Sequence, residues 1–341
     1  TGGKSDNSDI SGDGNDGGDG EDGGDVQYEE GCHILDGGQG FAWVNDAIAA
    51  ASEGATIQLC ADASPHEEAI VVNKAVHLIG PGADQLVLSG PINEVPLTIS
   101  ASGASASGFG VDGSRTGILI SGLDGGADPV GVAISDVDVV NMPNWGIRVD
   151  GATQVTLDSV AIIGNAYGGL FVEGDAEVTL SNAIVQANEN FGVTVLGATL
   201  HIEDSEVLQT SPSATGATSP GYNLHLDELA EVSSSGTSYA DAEDSNIYAG
   251  TGSITMSGDL VSGSTVGIQV RQADVDIAET TIENAYAVGL LGDTAGTLVL
   301  NAVDIIGDPE TSYEEDPNAW NFIEADDAGN ITSWPIGGTG L

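Results

Sequence analysis

The chain has 341 residues, and its 53 Asp and Glu against 5 Lys and Arg give a formal net charge of −48 at pH 7. A surface this acidic repels phosphate backbones and anionic lipid and attracts cations, so nucleic acid and the inner leaflet of a membrane are poor partners. Hydrophobic residues make up 40% of the sequence, enough for a substantial core, yet no run of about 18 apolar residues predicts a membrane span.

Residues 1–30 are rich in Gly and Asp and nearly lack apolar side chains. Such a segment cannot offset its ordering entropy by burial, so we predict a disordered acidic tether that anchors the rest of the chain. The stretch GGDGED at 17–22 resembles the start of a calcium-binding nonapeptide, but Gly24 stands where a large apolar residue is expected and no tandem copy follows. A plain linker is therefore favoured over a calcium site.

The two cysteines are Cys32 and Cys60. An even number near the start of a Gly/Asp-rich chain favours one disulfide in an oxidising compartment over two buried thiols in a reducing one. We therefore expect an exported protein, extracellular or at the cell surface, with the periplasm as the alternative.

The segment FAWVNDAIAAAS at 41–52 has helical spacing. Phe41, Val44, Ile48 and Ala51 fall on one face, and the following Glu-Gly ends the helix. Short β-branched runs broken by Gly and Pro come next, as in AIVVNKAVHLIGPG at 69–82, and they predict strands joined by turns.

The central part of the chain repeats a short pattern. GIRVDG at 146–151 recurs as GLFVEG at 169–174 and GVTVLG at 192–197, and a second β-branched segment follows each copy, as in QVTLDSVAI at 154–162. Strands this short cannot bury an apolar face alone, whereas laps stacked about 4.8 Å apart give each strand a partner. The pattern predicts a parallel β-solenoid over 31–307 with coils of about 21–23 residues, closed by a capping segment over 308–341. Leucine-rich repeats are the alternative, but their L-x-x-L-x-L-x-x-N frame is missing.

The capping helix, the strands after it and the coils with L-x-[DN]-[ST]-x-[IV] followed by G-I-x-V resemble the right-handed parallel β-helix, or pectate-lyase-like, superfamily over about residues 35–307. The resemblance implies an all-β right-handed parallel β-helix with an N-terminal capping helix, and it suggests carbohydrate chemistry. The catalytic patterns of polygalacturonase-type hydrolases are missing, since the one Asp-Asp pair, Asp326–Asp327, lies outside the repeats. Lyases and epimerases acting on uronates need basic residues that this chain nearly lacks. We therefore transfer no catalytic residue from the family.

The repeat also predicts what faces outward. Its second and fourth positions point inward, so the third and fifth lie on the outer face. The third-position row is Arg148, Phe171, Thr194, His225, Tyr248, Gln269 and Leu291, and the fifth-position row is Asp150, Glu173, Leu196, Asp227, Gly250, Arg271 and Asp293.

Two kinds of site follow from these rows. Arg148, Phe171, His225 and Tyr248 could stack on sugar rings and bind their hydroxyls. Asp150 and Glu173, about 5 Å apart on neighbouring laps, could share a proton or bind Ca²⁺, and with Asp227 they are the catalytic carboxylates if the protein is an enzyme. The plain alternative is an ordinary solvated strand face. The histidines at 33, 66, 77 and 201 lack metal-ligand spacing, so no zinc site is predicted.

Three hypotheses of function remain. The first is an exported, surface-tethered, non-catalytic β-helix protein with a structural, adhesive or glycan-binding role, which explains the tether, the disulfide and the missing catalytic motifs together. The alternative is a hydrolase or lyase acting on a neutral or weakly charged polysaccharide. The third is a filament subunit that assembles by end-to-end stacking of coils.

Overall fold

A computed structural model of the protein describes residues 31–306 except 114, 123–125, 214–219, 287 and 293–296, together with the antiparallel strands Glu324–Ala325 and Ile331–Ser333. The predicted tether and nearly all of the predicted C-terminal cap lie outside these residues. Across the part described, no helix is long and apolar enough to cross a membrane.

Three parallel sheets, named A, B and C in the order in which each coil visits them, build the body of the protein. Sheet A contains Ile70–Val72, Leu97–Ile99, Ile118–Ser121, Trp145–Asp150, Gly168–Glu173, Phe191–Leu196, Tyr222–Asp227 and Val288–Gly292. Sheet B contains Thr56–Gln58, His77–Ile79, Val155–Asp158, Glu177–Ser181, Thr199–Glu203, Ala230–Ser235 and Leu298–Asn301. Sheet C contains His66–Glu67, Val87–Ser89, Ala161–Ile163, Ile184–Gln186, Glu206–Leu208, Ser238–Ala240, Leu260–Ser262, Thr281–Glu283 and Asp304–Ile306.

Four longer strands join two sheets each. Ser245–Ser257 and Val266–Ala278 run from sheet A into sheet B, and Ser105–Asp112 and Ala133–Val140 run from sheet B into sheet C. Each coil therefore has three strand positions, and the predicted solenoid is confirmed.

Single residues in the left-handed conformation make the corners between sheets B and C. Ser159, Asn182 and Asp204 have φ of 54°, 51° and 47°. One such residue turns the chain sharply without a loop, and Asn and Asp tolerate this conformation better than most side chains. For this reason the segment 154–162, predicted as one strand, forms two, Val155–Asp158 and Ala161–Ile163.

The inward rows of the repeat are apolar, and each apolar side chain packs on a similar side chain of the next lap. Ile147, Leu170 and Val193 are register partners in successive laps of sheet A, and all three are fully buried. Apolar contacts within such rows replace the single large core of an ordinary domain, because every lap supplies the same surface to the next.

A buried polar row accompanies the apolar rows where the chain turns from sheet C into sheet A. Asn165 Nδ2 donates to Asn188 Oδ1 at 2.8 Å, and Asn188 Nδ2 donates to the Ile162 carbonyl at 2.9 Å. Farther along, Asn223 Nδ2 donates to Asn246 Oδ1 at 2.7 Å. These amides pair with one another and with turn backbone that burial would otherwise leave without partners.

The N-terminal end differs from the repeats. An antiparallel hairpin of His33–Leu35 and Gln39–Phe41 lies beside Thr56–Gln58, and the helix Val44–Ala50 follows it. The helix is shorter than the predicted 41–52 because Phe41 ends the hairpin strand instead, while Val44 and Ile48 are buried as expected. Cys32 and Cys60 form the predicted disulfide, with Cα atoms 5.6 Å apart.

Candidate functional site

Seven ring-bearing side chains lie together on the outer face of sheet A. Three stand at the first residue of their strands and three at the predicted third position of the repeat, in register over successive laps, and the seventh directly precedes the strand Gly168–Glu173. We call this set the aromatic ribbon: Trp145, Tyr167, Phe171, Phe191, Tyr222, His225 and Tyr248. The ribbon spans five laps, so its length is about 19 Å.

The rings of the ribbon stack in pairs that cross from one lap to another. The centroid separations are 4.7 Å for Trp145 and Phe171, 5.3 Å for Phe191 and His225, and 4.8 Å for Tyr222 and Tyr248. Further contacts join the pairs, with Trp145 6.1 Å from Phe191 and Tyr222 5.9 Å from His225. The result is a continuous apolar surface whose rings, apart from the buried Trp145, are partly exposed.

A glycine makes the first stack possible. Gly168 is the register partner of Trp145 on the next lap, and a Cβ atom at Gly168 would overlap the six-membered ring of the indole. With no side chain there, Trp145 lies across Gly168 and reaches Phe171. The stacking of Trp145 on Phe171 therefore depends on the absence of a side chain at Gly168.

Arg148 holds the two carboxylates that the sequence analysis paired. Asp150 and Glu173 are register partners on neighbouring laps, as predicted, and a third charged group contacts both carboxylates. Arg148 donates from Nε to Glu173 and from Nη2 to Asp150 at 3.2 Å, and its guanidinium lies 5.8 Å from the Phe171 ring centroid. Arg148 therefore bridges the two carboxylates and offsets part of their mutual repulsion.

Asp227 does not join that pair. Leu196 separates it from Glu173 in the ladder of sheet A, so Asp227 lies about two strand spacings, or ~10 Å, away. Its carboxylate accepts a hydrogen bond from the Thr251 hydroxyl at 2.6 Å. The three predicted carboxylates thus fall into an ion-paired couple and a separate, hydrogen-bonded group.

His225 lies in the middle of the ribbon. Burial lowers its pKa, an effect that the charge of Asp227 partly opposes, so the imidazole is neutral at neutral pH. Its Nδ1 atom is buried without a hydrogen-bond partner in the described part of the chain. Burial also raises the pKa of Tyr222, with a further contribution from Asp244. The ribbon therefore presents uncharged rings that carry polar atoms.

The structure brings together two histidines that the sequence left apart. His33 and His66 are fully buried at the N-terminal end, with ring centroids 4.8 Å apart, and His66 Nε2 lies 2.6 Å from Glu68 Oε2. Glu68 also accepts hydrogen bonds from the backbone N–H groups of Val44 and Asn45 at the start of the helix. Burial, reinforced by His66, lowers the pKa of His33 to about 4.

No group of three or more His, Cys, Asp or Glu side chains is placed to hold a metal ion within the region that the structure describes. Calcium binding at Asp150 and Glu173 therefore stays a prediction, and the guanidinium of Arg148 occupies the position between these carboxylates that a cation would take.

The body of the protein consists of three parallel sheets wound in coils of about 23 residues, and the outer face of sheet A carries the aromatic ribbon. This architecture is that of a right-handed parallel β-helix protein. The family model described as "Right handed beta helix region" matches residues 116–284. Residues 116–284 therefore belong to the right-handed β-helix family, and the chain has the right-handed parallel β-helix fold. A search of curated protein sequences finds no match.

Several solved structures share the fold. The A-module of the mannuronan C-5 epimerase AlgE4 from Azotobacter vinelandii aligns with a TM-score of 0.53 and 13% identity, over 77% of this chain and 90% of that one. Pectate lyase Pel9A aligns with a TM-score of 0.51 and 9% identity, over 88% and 85% of the two chains. The A-module of AlgE6, another A. vinelandii mannuronan C-5 epimerase, aligns with a TM-score of 0.50 and 16% identity, over 77% and 92%. At these identities the likeness establishes the fold alone.

Proposed function

We propose that the protein binds a neutral or weakly charged polysaccharide along the aromatic ribbon. The observation that carries the proposal is the continuous row of stacked, partly exposed rings over five laps. The C–H faces of sugar rings pack on aromatic faces, and the ring edges and nearby carboxylates can bind hydroxyl groups. A linear polymer suits a row better than a compact ligand does, because the rings extend over successive laps of one sheet.

The comparisons support a polysaccharide ligand. The structures that share the fold are named as enzymes acting on polysaccharides, mannuronan for the epimerases and pectate for the lyase. The charge of this chain opposes a uronate ligand, since Arg148, whose guanidinium lies beside the Phe171 ring, is already paired with two carboxylates. A disulfide and an acidic surface fit an extracellular or surface-tethered protein that meets such polymers outside the cell.

A second candidate function is that of an enzyme acting on the bound polysaccharide. The observation in its favour is His225, a neutral imidazole within the ribbon whose Nδ1 has no partner among the described residues. A neutral imidazole can accept a proton from a bound sugar, and Tyr248, with its ring centroid 5.3 Å from that of His225, could donate one. Asp150 and Glu173 are weaker candidates for general acid and nucleophile because Arg148 holds both.

Titration of a neutral oligosaccharide panel into wild-type protein and into variants tests the proposal. Phe171→Ala and Tyr248→Ala should each weaken binding about tenfold or more, because each removes one stacked ring. Ile184→Ala, which trims an exposed apolar side chain on sheet C, should leave the affinity unchanged. Equal affinities for all four proteins, or no binding by any, would overturn the proposal.

The same panel separates binding from catalysis. If the protein is an enzyme, incubation releases new reducing ends or unsaturated products, and His225→Gln abolishes that release even at saturating ligand, whereas loss of its stacked ring alone weakens binding about tenfold. Binding without any product, in wild type and variant alike, would leave the non-catalytic role.

A further inference from the structure

A polar cleft opens at the edge of sheet A, next to the Tyr222 and Tyr248 end of the ribbon. Its volume is about 500 Å³, and its lining includes Gln209, Ser211, Asp241, Glu243, Thr265 and Tyr286. The chain runs from Glu243 through Asp244 directly into the strand Ser245–Ser257, and the Asp244 amide donates to the Gly221 carbonyl beside Tyr222 at 3.2 Å. The cleft therefore adjoins the Tyr222 and Tyr248 end of the ribbon.

The lining of the cleft is negatively charged. Asp241 and Glu243 are exposed, and neither forms an ion pair with a basic side chain of the described residues. No Lys or Arg lines the cleft. Asp244, which is half-buried, acts on Tyr222, whose pKa is raised first by burial and then by this carboxylate, while Arg271 acts on the same ring in the opposite direction. A positive charge placed here would be attracted by several carboxylates at once.

An exposed ring stands in the wall of the same cleft. Tyr286 is 63% exposed, one of the most exposed large side chains among the residues described. An aromatic face beside carboxylates is a suitable environment for an ammonium group, which the ring attracts through its quadrupole and the carboxylates attract by charge. The cleft and the ribbon thus favour two different parts of one ligand, a cationic group and a series of sugar rings.

We infer that the polysaccharide is an amino-sugar polymer, with its rings on the aromatic ribbon and a free ammonium group in the cleft at Asp241, Glu243 and Tyr286. This inference rests on the proposed function and names its substrate class. It separates the protein from the mannuronan- and pectate-active enzymes that share its fold, because a uronate would bring a further negative charge to an acidic surface.

Chito-oligosaccharides test the inference because the same backbone exists with free and with acetylated amino groups. Titrations near pH 6 should show the deacetylated form binding about tenfold or more tightly than the acetylated form, by an amount that decreases with added salt. The double variant Asp241→Asn with Glu243→Gln should lose this preference and keep its affinity for the acetylated form. Tyr286→Ala should reduce the preference, and its exposed position makes loss of folding unexpected.

A matched control removes the same charge elsewhere. Asp138→Asn with Glu206→Gln neutralises two exposed carboxylates on the outer face of sheet C and should keep the preference. Equal affinity for the two forms in the wild type would overturn the inference while leaving the ribbon as a glycan site. Equal losses in the cleft variant and in the control would also overturn it, since the preference would then come from net charge. If neither form binds, the proposed function itself fails.

Discussion

Replacement of the buried Asp259 should stabilise the protein at neutral pH. Asp259 lies inside the solenoid at 3% exposure, where Oδ1 accepts hydrogen bonds from the Thr237 amide at 2.7 Å and the Ser234 hydroxyl at 3.1 Å. Its Oδ2 has no partner among the described residues. Burial raises the pKa from 3.8 to about 6, against the opposing effect of these hydrogen bonds.

The sign and size of the effect follow from that shift. Because the folded state holds the proton more tightly than the unfolded state, the free energy of unfolding is highest below about pH 4 and declines as the pH rises to about 6. A shift of about two pKa units corresponds to a penalty on the order of 3 kcal/mol above that range. Asp259→Asn removes the charge and keeps an oxygen for Thr237 and Ser234, so it should recover about 2–3 kcal/mol at pH 7.5 and almost nothing near pH 3.5.

Urea unfolding followed by circular dichroism at a series of pH values measures this difference, and urea leaves the ionic strength unchanged. Asp276→Asn is the control, because Asp276 is exposed on sheet B and its replacement reports only the general benefit of removing one negative charge. The reasoning is refuted if Asp259→Asn is no more stable than the control at pH 7.5, or if its advantage does not depend on pH.

Three further predictions concern the ribbon, the N-terminal end and the overall charge. Gly168→Ala should displace Trp145 from Phe171, shift tryptophan emission to longer wavelength and weaken glycan binding about tenfold; unchanged emission and affinity would contradict the role given to Gly168. The pKa of His33 is lowered to about 4, so its contribution to stability is complete above about pH 6.5 and is lost as the pH falls through 4. His33→Leu should therefore flatten this part of the profile of melting temperature against pH. A profile that runs parallel to that of the wild type would contradict this prediction. Melting temperature should rise with NaCl because screening relieves repulsion among the acids, and a flat response would show that repulsion is unimportant, while an extra rise with CaCl₂ at matched ionic strength would reveal specific calcium sites.

The repeat was predictable because its inward positions alternate regularly. The pattern G-I-x-V places Ile147 and Val149 inside, and their burial confirms the alternation. The outward ring positions Phe171, His225 and Tyr248 follow from the same alternation, and the structure places all three in the ribbon.

The other half of the ribbon escaped that reasoning. Trp145, Phe191 and Tyr222 precede the first repeat position, so strict alternation places them inside with the residues two positions on. In sheet A the residue after each of these three has no register partner on the neighbouring strand, so the chain bends there and the ring points outward. A large aromatic residue directly before the Gly or Asn of three repeats was the signal that could have found them.

The repeat places residues of neighbouring laps side by side, but it does not give the direction in which a side chain points or where the N-terminal hairpin packs. Arg148 contacts Glu173, 25 residues later, because one lap takes 23 residues and the Arg148 side chain extends to the neighbouring lap. His33, His66 and Glu68 meet because the hairpin folds back over the first coil, and no spacing in the sequence encodes that approach.

The length dependence of oligosaccharide binding tests the central claim most directly. If a polysaccharide lies along the ribbon, affinity measured by calorimetric titration should rise with each added sugar and level off once the ligand spans about 19 Å, the five laps of the ribbon. In Phe171→Ala, at one end of the ribbon, the plateau should come at a shorter ligand. An affinity that does not change with length, or a plateau that no ring replacement shortens, would contradict a polysaccharide site on the aromatic ribbon.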